Sequence, residues 1–195
     1  MSKTLHPELA KHHHSDTGTF VFSPPVTSNH KSETTQSDPA IRVLALDTSP
    51  QASALLMLSV DGDIPKFDLA MYTDRPADRP RMFAHLAVIQ QRAIKAGIPI
   101  LRVPATGPAE PAIHDKIREI LGFPVPRPVP PGVHAELAWP VSLDTIHQAT
   151  DSTQRFVQHT FPLLDLGWAL GDCQGYLRSL RLDAPKHDLL GREPS

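Results

Sequence analysis

A carboxylate followed by hydroxyl and amide side chains, Asp47-Thr-Ser-Pro-Gln-Ala-Ser53, lies between two apolar stretches, and a second carboxylate, Asp74, closes the next one. A polar turn that opens a helix is where an α/β protein receives an anion. Backbone N–H groups and hydroxyls face the phosphates, and the helix N-terminus adds positive potential. Asp74 is of the type that orients a ribose hydroxyl or holds a magnesium ion at a sheet edge. Candidate nucleotide contacts are therefore Asp47, Thr48, Ser49, Gln51, Ser53 and Asp74. The same residue types also build ordinary turns and helix caps, and Asp74 equally suits a turn before Pro76. The turn holds no glycine and no lysine, so its means of holding a phosphate are reduced.

Other chemically able side chains are scattered. His12-His-His14, with His6 nearby, could bind a transition metal but lacks an acidic or thiol companion, and reads as a solvated tract. No His-x-x-x-His or Cys-x-x-Cys spacing occurs outside that region, and no metal site is assigned. His85 lies near the apolar stripe of a helix and reads as a satisfied, half-buried histidine. Cys173 follows Asp172 near a helix start, where a dipole could lower its pKa, yet shares a face with Leu177 and reads as a buried, inert thiol.

Positioning these groups requires a framework, and the chain supplies alternating elements. Residues 41–46 form an apolar, β-branched run short enough for a buried strand. Pro50 suits the first turn of a helix, which continues through residues 52–60 to Asp61-Gly62. A second strand covers residues 67–73 and the clearest helix residues 81–96, with Met82, Leu86, Ile89 and Ala93 at helical spacing and Gly97 as its stop. Residues 98–103 give a third strand, residues 104–111 a turn-rich link and residues 112–121 an amphipathic helix. The span 122–132 carries five prolines and reads as an extended surface passage. Residues 136–141 suggest a fourth strand, with Pro140 placing it at an edge or an end. Short helices follow at 143–148 and 170–180. Strands and helices alternating this closely predict right-handed βαβ units and a parallel, doubly wound sheet. Residues 1–40, with twelve Ser or Thr, read as a disordered tail, and residues 188–195 as a frayed end.

Composition narrows the classes of function. The 195 residues suffice for one domain with a core plus a tail. A net charge of −2 gives no electrostatic reason to expect nucleic acid. A single cysteine excludes an intrachain disulfide framework and cysteine-rich metal centres. No apolar run reaches the ~18 residues of a membrane span, and no secretory h-region opens the chain. The expectation is a cytoplasmic protein without a membrane partner.

Several phrases in sequence carry a family resemblance. Tyr72-Thr-Asp74-Arg-Pro-Ala-Asp78, Ala96-Gly97-Ile98-Pro99, Val141-Ser142-Leu143-Asp144, Asp151-Ser152, Phe161-Pro-Leu-Leu-Asp-Leu-Gly167-Trp168 and Asp172-Cys173-Gln-Gly-Tyr176-Leu177 follow in that order. Over residues 41–187 the chain resembles the phosphoadenosine phosphosulfate reductase-like proteins of actinobacteria and their phages, within the PP-loop superfamily. The resemblance implies a three-layer α/β sandwich of the adenine nucleotide alpha-hydrolase-like type. It also implies an adenine-nucleotide site, with ATP and magnesium, at residues 47–53 and Asp74.

Three departures bear on activity. Relatives carry S-G-G-x-D-S or G-A-G-x-Q-S after the first strand, where this chain has Asp47-Thr48-Ser49-Pro50-Gln51-Ala52 and matches at Gln51. Their basic, thiol-bearing insert is missing before Ile113-His-Asp-Lys116, and the Pro185-Lys186-His187 phrase is not followed by their two cysteines. The expectation is a degenerate, catalytically inactive member that binds an adenine nucleotide weakly at most and requires no cofactor. The alternatives are an active transferase or reductase in which Asp47 and Asp74 together hold a cation, and an interaction protein presenting the proline-rich span 122–132.

Overall fold

The computed structural model describes residues 38–74, 79–105 and 107–182. Residues 1–37 of the tail read over 1–40, with the histidine tract, and Asp78, Lys186, His187 and the end 188–195 lie outside the described residues, as do the side chains of residues 79–82.

Five parallel strands form one sheet in the order β3-β2-β1-β4-β5: β1 (Ile41–Ala45), β2 (Leu69–Asp74), β3 (Ile100–Pro104), β4 (Ala135–Ala138) and β5 (Val157–Thr160). Helices α1 (Pro50–Asp61) and α2 (Arg79–Lys95) carry the chain from β1 outward to β3. Helix α3 (Ala109–Ile120) then brings it back across the sheet to β4, and a one-turn helix, α4 (Pro162–Asp165), follows β5. Right-handed crossovers running in opposite directions must place their helices on opposite faces. Accordingly Leu44, Ala70 and Tyr72 pack with α1 and α2, whereas Val43, Ala45 and Met71 pack with Ile113 and Ile117 of α3. This alternation follows the two-residue repeat of a strand, and a strand covered on both faces must be apolar throughout. The architecture is the three-layer, doubly wound α/β sandwich that the sequence predicts.

Helix α1 lies deepest. Every residue from Ala52 to Ser59 is buried, because α2 flanks one side and α5 (Leu170–Ser179) the other. An all-round apolar helix is stable in such a position and nowhere on a surface. Its two buried hydroxyls are satisfied within the protein: Ser59 accepts from Phe67 N–H at 2.9 Å, and Ser53 donates to Ser49 O at 3.0 Å. Gly62 ends the helix at φ 86°, a left-handed conformation that favours glycine.

Three placements differ from the sequence expectation. Strand β4 spans Ala135–Ala138 rather than 136–141 and lies between β1 and β5; of the two places Pro140 suggested, an edge or an end, it marks the end, falling just beyond the ladder and removing no bond from it. Strand β5 was not anticipated; its four residues Val-Gln-His-Thr are too short and too polar to stand out. Helix α3 starts at Ala109, three residues before the expected 112. Pro111 reads as a breaker, but in the first turn the N–H it lacks would have no intrahelical partner. The proline-rich span makes a turn, with Arg127 N–H donating to Pro124 O at 2.8 Å, and Arg118 of α3 holds the carbonyls of Phe123 and Arg127. That span is therefore not extended throughout. Among the described residues no helix is long and apolar enough to cross a membrane.

Candidate functional site

Strand order reverses between β1 and β4, where Leu44 and Ala138 are paired, and the carboxyl edge at such a switch point is where open α/β sheets bind ligands. The loop after β1 and the first turn of α1 hold five of the six candidate nucleotide contacts: Asp47, Thr48 and Ser49 in the loop, Gln51 and Ser53 in the helix. Asp47 accepts Ser49 N–H at 2.8 Å, and Ser49 Oγ accepts Ala52 N–H at 3.1 Å as the N-cap of α1. Pro50, the first residue of the helix, has no N–H to offer. The donors of Ser49 and Ala52 that would face an anion are thus engaged by the chain's own side chains, and the exposed Asp47 carboxylate stands at the loop entrance.

Ser53 is turned inward and buried, its hydroxyl 3.1 Å from His85 Nε2. The single hydroxyl proton can serve either Ser49 O or His85 Nε2, and while it is on Ser49 O the second contact is made by an Nε2–H donor. His85 is buried rather than half-buried, and burial lowers its pKa against the smaller opposing pull of Asp47. Asp74 ends β2 as a buried carboxylate in an ion pair with Arg102. The two share a face because Tyr72, two residues before Asp74, is the register partner of Arg102. Thr48 in the loop after β1 and Gln51 in the first turn of α1 are half-buried.

Beyond β4, the phrase Val141-Ser142-Leu143-Asp144 is structural. Ser142 is fully buried and donates to Asp144, whose carboxylate accepts Leu170 N–H and so fastens the start of α5. Cys173 in that helix is buried, and burial with Asp172 beside it pushes the thiol up to about 11. Burial and a 2.6 Å hydrogen bond from the Tyr176 hydroxyl to Asp61 hold that phenol protonated.

A second constellation lies on the α3 side of the sheet. Glu110 and His114 stand one turn apart on α3, and His159 projects from β5. Glu110 Oε1 is 3.8 Å from His114 Nε2 and 3.7 Å from His159 Nε2, and the three donor atoms lie within 4.8 Å of one another. The imidazole side chains are 7% and 3% exposed, respectively, and neither Nε2 has a hydrogen-bond partner. Leaving each buried nitrogen unsatisfied costs roughly 1–3 kcal/mol. His159 Nδ1 lies 2.8 Å from the Thr150 carbonyl, an acceptor, so Nδ1 carries a proton, and in the neutral ring Nε2 presents a lone pair. Burial lowers the pKa of His114, with His159 acting in the same direction and Glu110 opposing. Trp139 packs edge-on to His159, and its buried indole N–H also lacks an acceptor. Glu110 borders two openings: one of about 220 Å³ lined by Trp139, Gln148, Thr150, His159 and Phe161, and one of about 410 Å³ lined by His114, Asp115, Arg118 and Gln154.

Local spacing in the sequence does not display this second set. Glu110-x-x-x-His114 is a same-face pair on a helix, but its first member falls in a stretch read as a link, and His159 belongs to the unanticipated strand. The chain matches no family model and no curated protein.

Proposed function

We propose that the chain is a degenerate PP-loop-type scaffold related to phosphoadenosine phosphosulfate reductase-like proteins. On this reading the switch point between β1 and β4 takes an adenine nucleotide weakly at most and cleaves no phosphate bond. The observation that supports it is the self-satisfied loop after β1. A phosphate entering there meets the Asp47 carboxylate, a proline without a donor, and two N–H groups already bonded to Asp47 and Ser49. The strand order supports the nucleotide-fold half of the proposal, because a switch between β1 and β4 is the place where such sheets bind ligands. Asp74 is engaged by Arg102, so a magnesium ion at that carboxylate would compete with a guanidinium.

Calorimetric titration with ATP, AMP and adenosine 3′,5′-bisphosphate, with and without magnesium, tests the proposal. Dissociation constants weaker than ~1 mM, an affinity worth about 4 kcal/mol, and no release of pyrophosphate from ATP are expected. Micromolar binding together with pyrophosphate release that disappears in Asp74→Ala would instead establish an active enzyme with a rearranged site.

A further inference from the structure

We infer that Glu110, His114 and His159 form a binding site for a divalent first-row transition ion, zinc in the first instance, with a coordination position left open beside the cavities. This inference stands apart from the nucleotide reading, since it uses neither the β1 loop nor Asp74.

Four observations converge on it. Two imidazole nitrogens and a carboxylate oxygen are the ligand set of zinc sites that keep a fourth position free. A tetrahedral zinc with bonds of ~2.1 Å places its donors ~3.4 Å apart, so the carboxylate–imidazole spacings of 3.7 and 3.8 Å need to close by only about 0.4 Å. Both spacings are too long for hydrogen bonds, so the carboxylate does not satisfy the rings, and a cation among the three would satisfy all of them at once. His159 is held by Nδ1–H on the Thr150 carbonyl, the outer contact that fixes a ligating histidine's tautomer and aims its Nε2 lone pair.

The surroundings agree with a bound ion that remains accessible. The His159 ring is clamped among Trp139, Phe161 and His114, which limits its rotation. Glu110 is 43% exposed and lies at the mouths of both cavities, so an ion has a path of entry and a place for water or a small oxygen-donor ligand. The indole N–H of Trp139, which lines the smaller cavity, is a candidate donor to such a ligand.

The test uses the full chain carrying His6→Ala, His12→Ala, His13→Ala and His14→Ala, so that the histidine tract of the tail does not contribute. After treatment with chelator, calorimetry with Zn²⁺ is expected to give one equivalent bound at micromolar affinity or tighter. Co²⁺ is expected to give visible ligand-field bands, and Mg²⁺ to give no binding. Glu110→Gln is expected to weaken Zn²⁺ at least tenfold while lowering the metal-free melting temperature by only about 1–4 °C, since the side chain is 43% exposed and its charge favours the first turn of α3. His159→Ala and His114→Ala are expected to abolish the cobalt bands. Failure of the quadruple variant to bind Zn²⁺ at millimolar concentration would overturn the inference, as would binding unchanged by Glu110→Gln and by either histidine substitution.

Discussion

Replacing Asp47 by alanine separates the two roles its carboxylate could play, because stability and anion affinity are expected to move in opposite directions. The substitution removes the 2.8 Å bond from Ser49 N–H, an exposed turn bond that steadies the N-cap residue and is worth about 1 kcal/mol. For a chain of this size that lowers the melting temperature by about 2–4 °C. The same change removes a negative charge from the loop entrance. A carboxylate ~4 Å from a phosphate costs about 1 kcal/mol in bulk water and about 4 kcal/mol at the effective dielectric of a protein surface. Asp47 is exposed, so the lower figure governs, and ATP or pyrophosphate should bind about fivefold more tightly, with the freed Ser49 N–H adding a donor. Calorimetry at low ionic strength reads the affinity, and a thermal melt reads the turn bond. Tighter binding in a less stable protein supports a blocked phosphate loop. Weaker magnesium–nucleotide binding would refute the reasoning, because Asp47 would then be holding the cation. Unchanged affinity would place the anion elsewhere.

Stability should fall as pH is lowered below about 6.5, the ordinary histidine value, because the unfolded chain then takes up a proton that buried His85 declines. The slope for this residue is at most ~1.4 kcal/mol per pH unit down to its lowered folded pKa, and urea titrations of His85→Gln should show the dependence reduced accordingly. Cys173 should resist a thiol reagent at pH 8 in the native protein and react with one equivalent after unfolding, being fully buried with its pKa raised to about 11. Stoichiometric native labelling would show that α5 opens readily.

Much of the fold was legible because both sheet faces are covered. Residues 41–46 and 67–73 are apolar without alternation, which local composition displays directly, and Pro50 and Gly62 mark the ends of α1. Less legible were features whose meaning depends on where the chain goes next. Pro111 has the same local signature whether it breaks a helix or opens one, and its place in the first turn of α3 depends on how the chain leaves β3. Strand β5 has one buried residue in four, so its existence rests on pairing with β4 rather than on its own pattern. The β1 loop was legible as a polar turn, but not its internal closure, since the bonds from Ser49 and Ala52 depend on backbone conformation.

The candidate sites divide along the same line. Residues 47–53 are contiguous, so a sequence motif points to them, and their hydrogen bonds turn inward. Glu110, His114 and His159 are assembled by topology: the β3-to-β4 crossover puts α3 on the far face, and β5 completes the sheet where His159 can reach it. Polar groups satisfied within the chain gain little from a ligand, whereas buried nitrogens without partners make binding favourable by the desolvation cost they already carry. The physical case for ligand chemistry is therefore stronger at the α3–β5 cluster than at the switch point the fold would nominate. Deleting the cluster's charge with Glu110→Gln and unblocking the loop with Asp47→Ala should consequently act independently, one on metal uptake and the other on anion affinity.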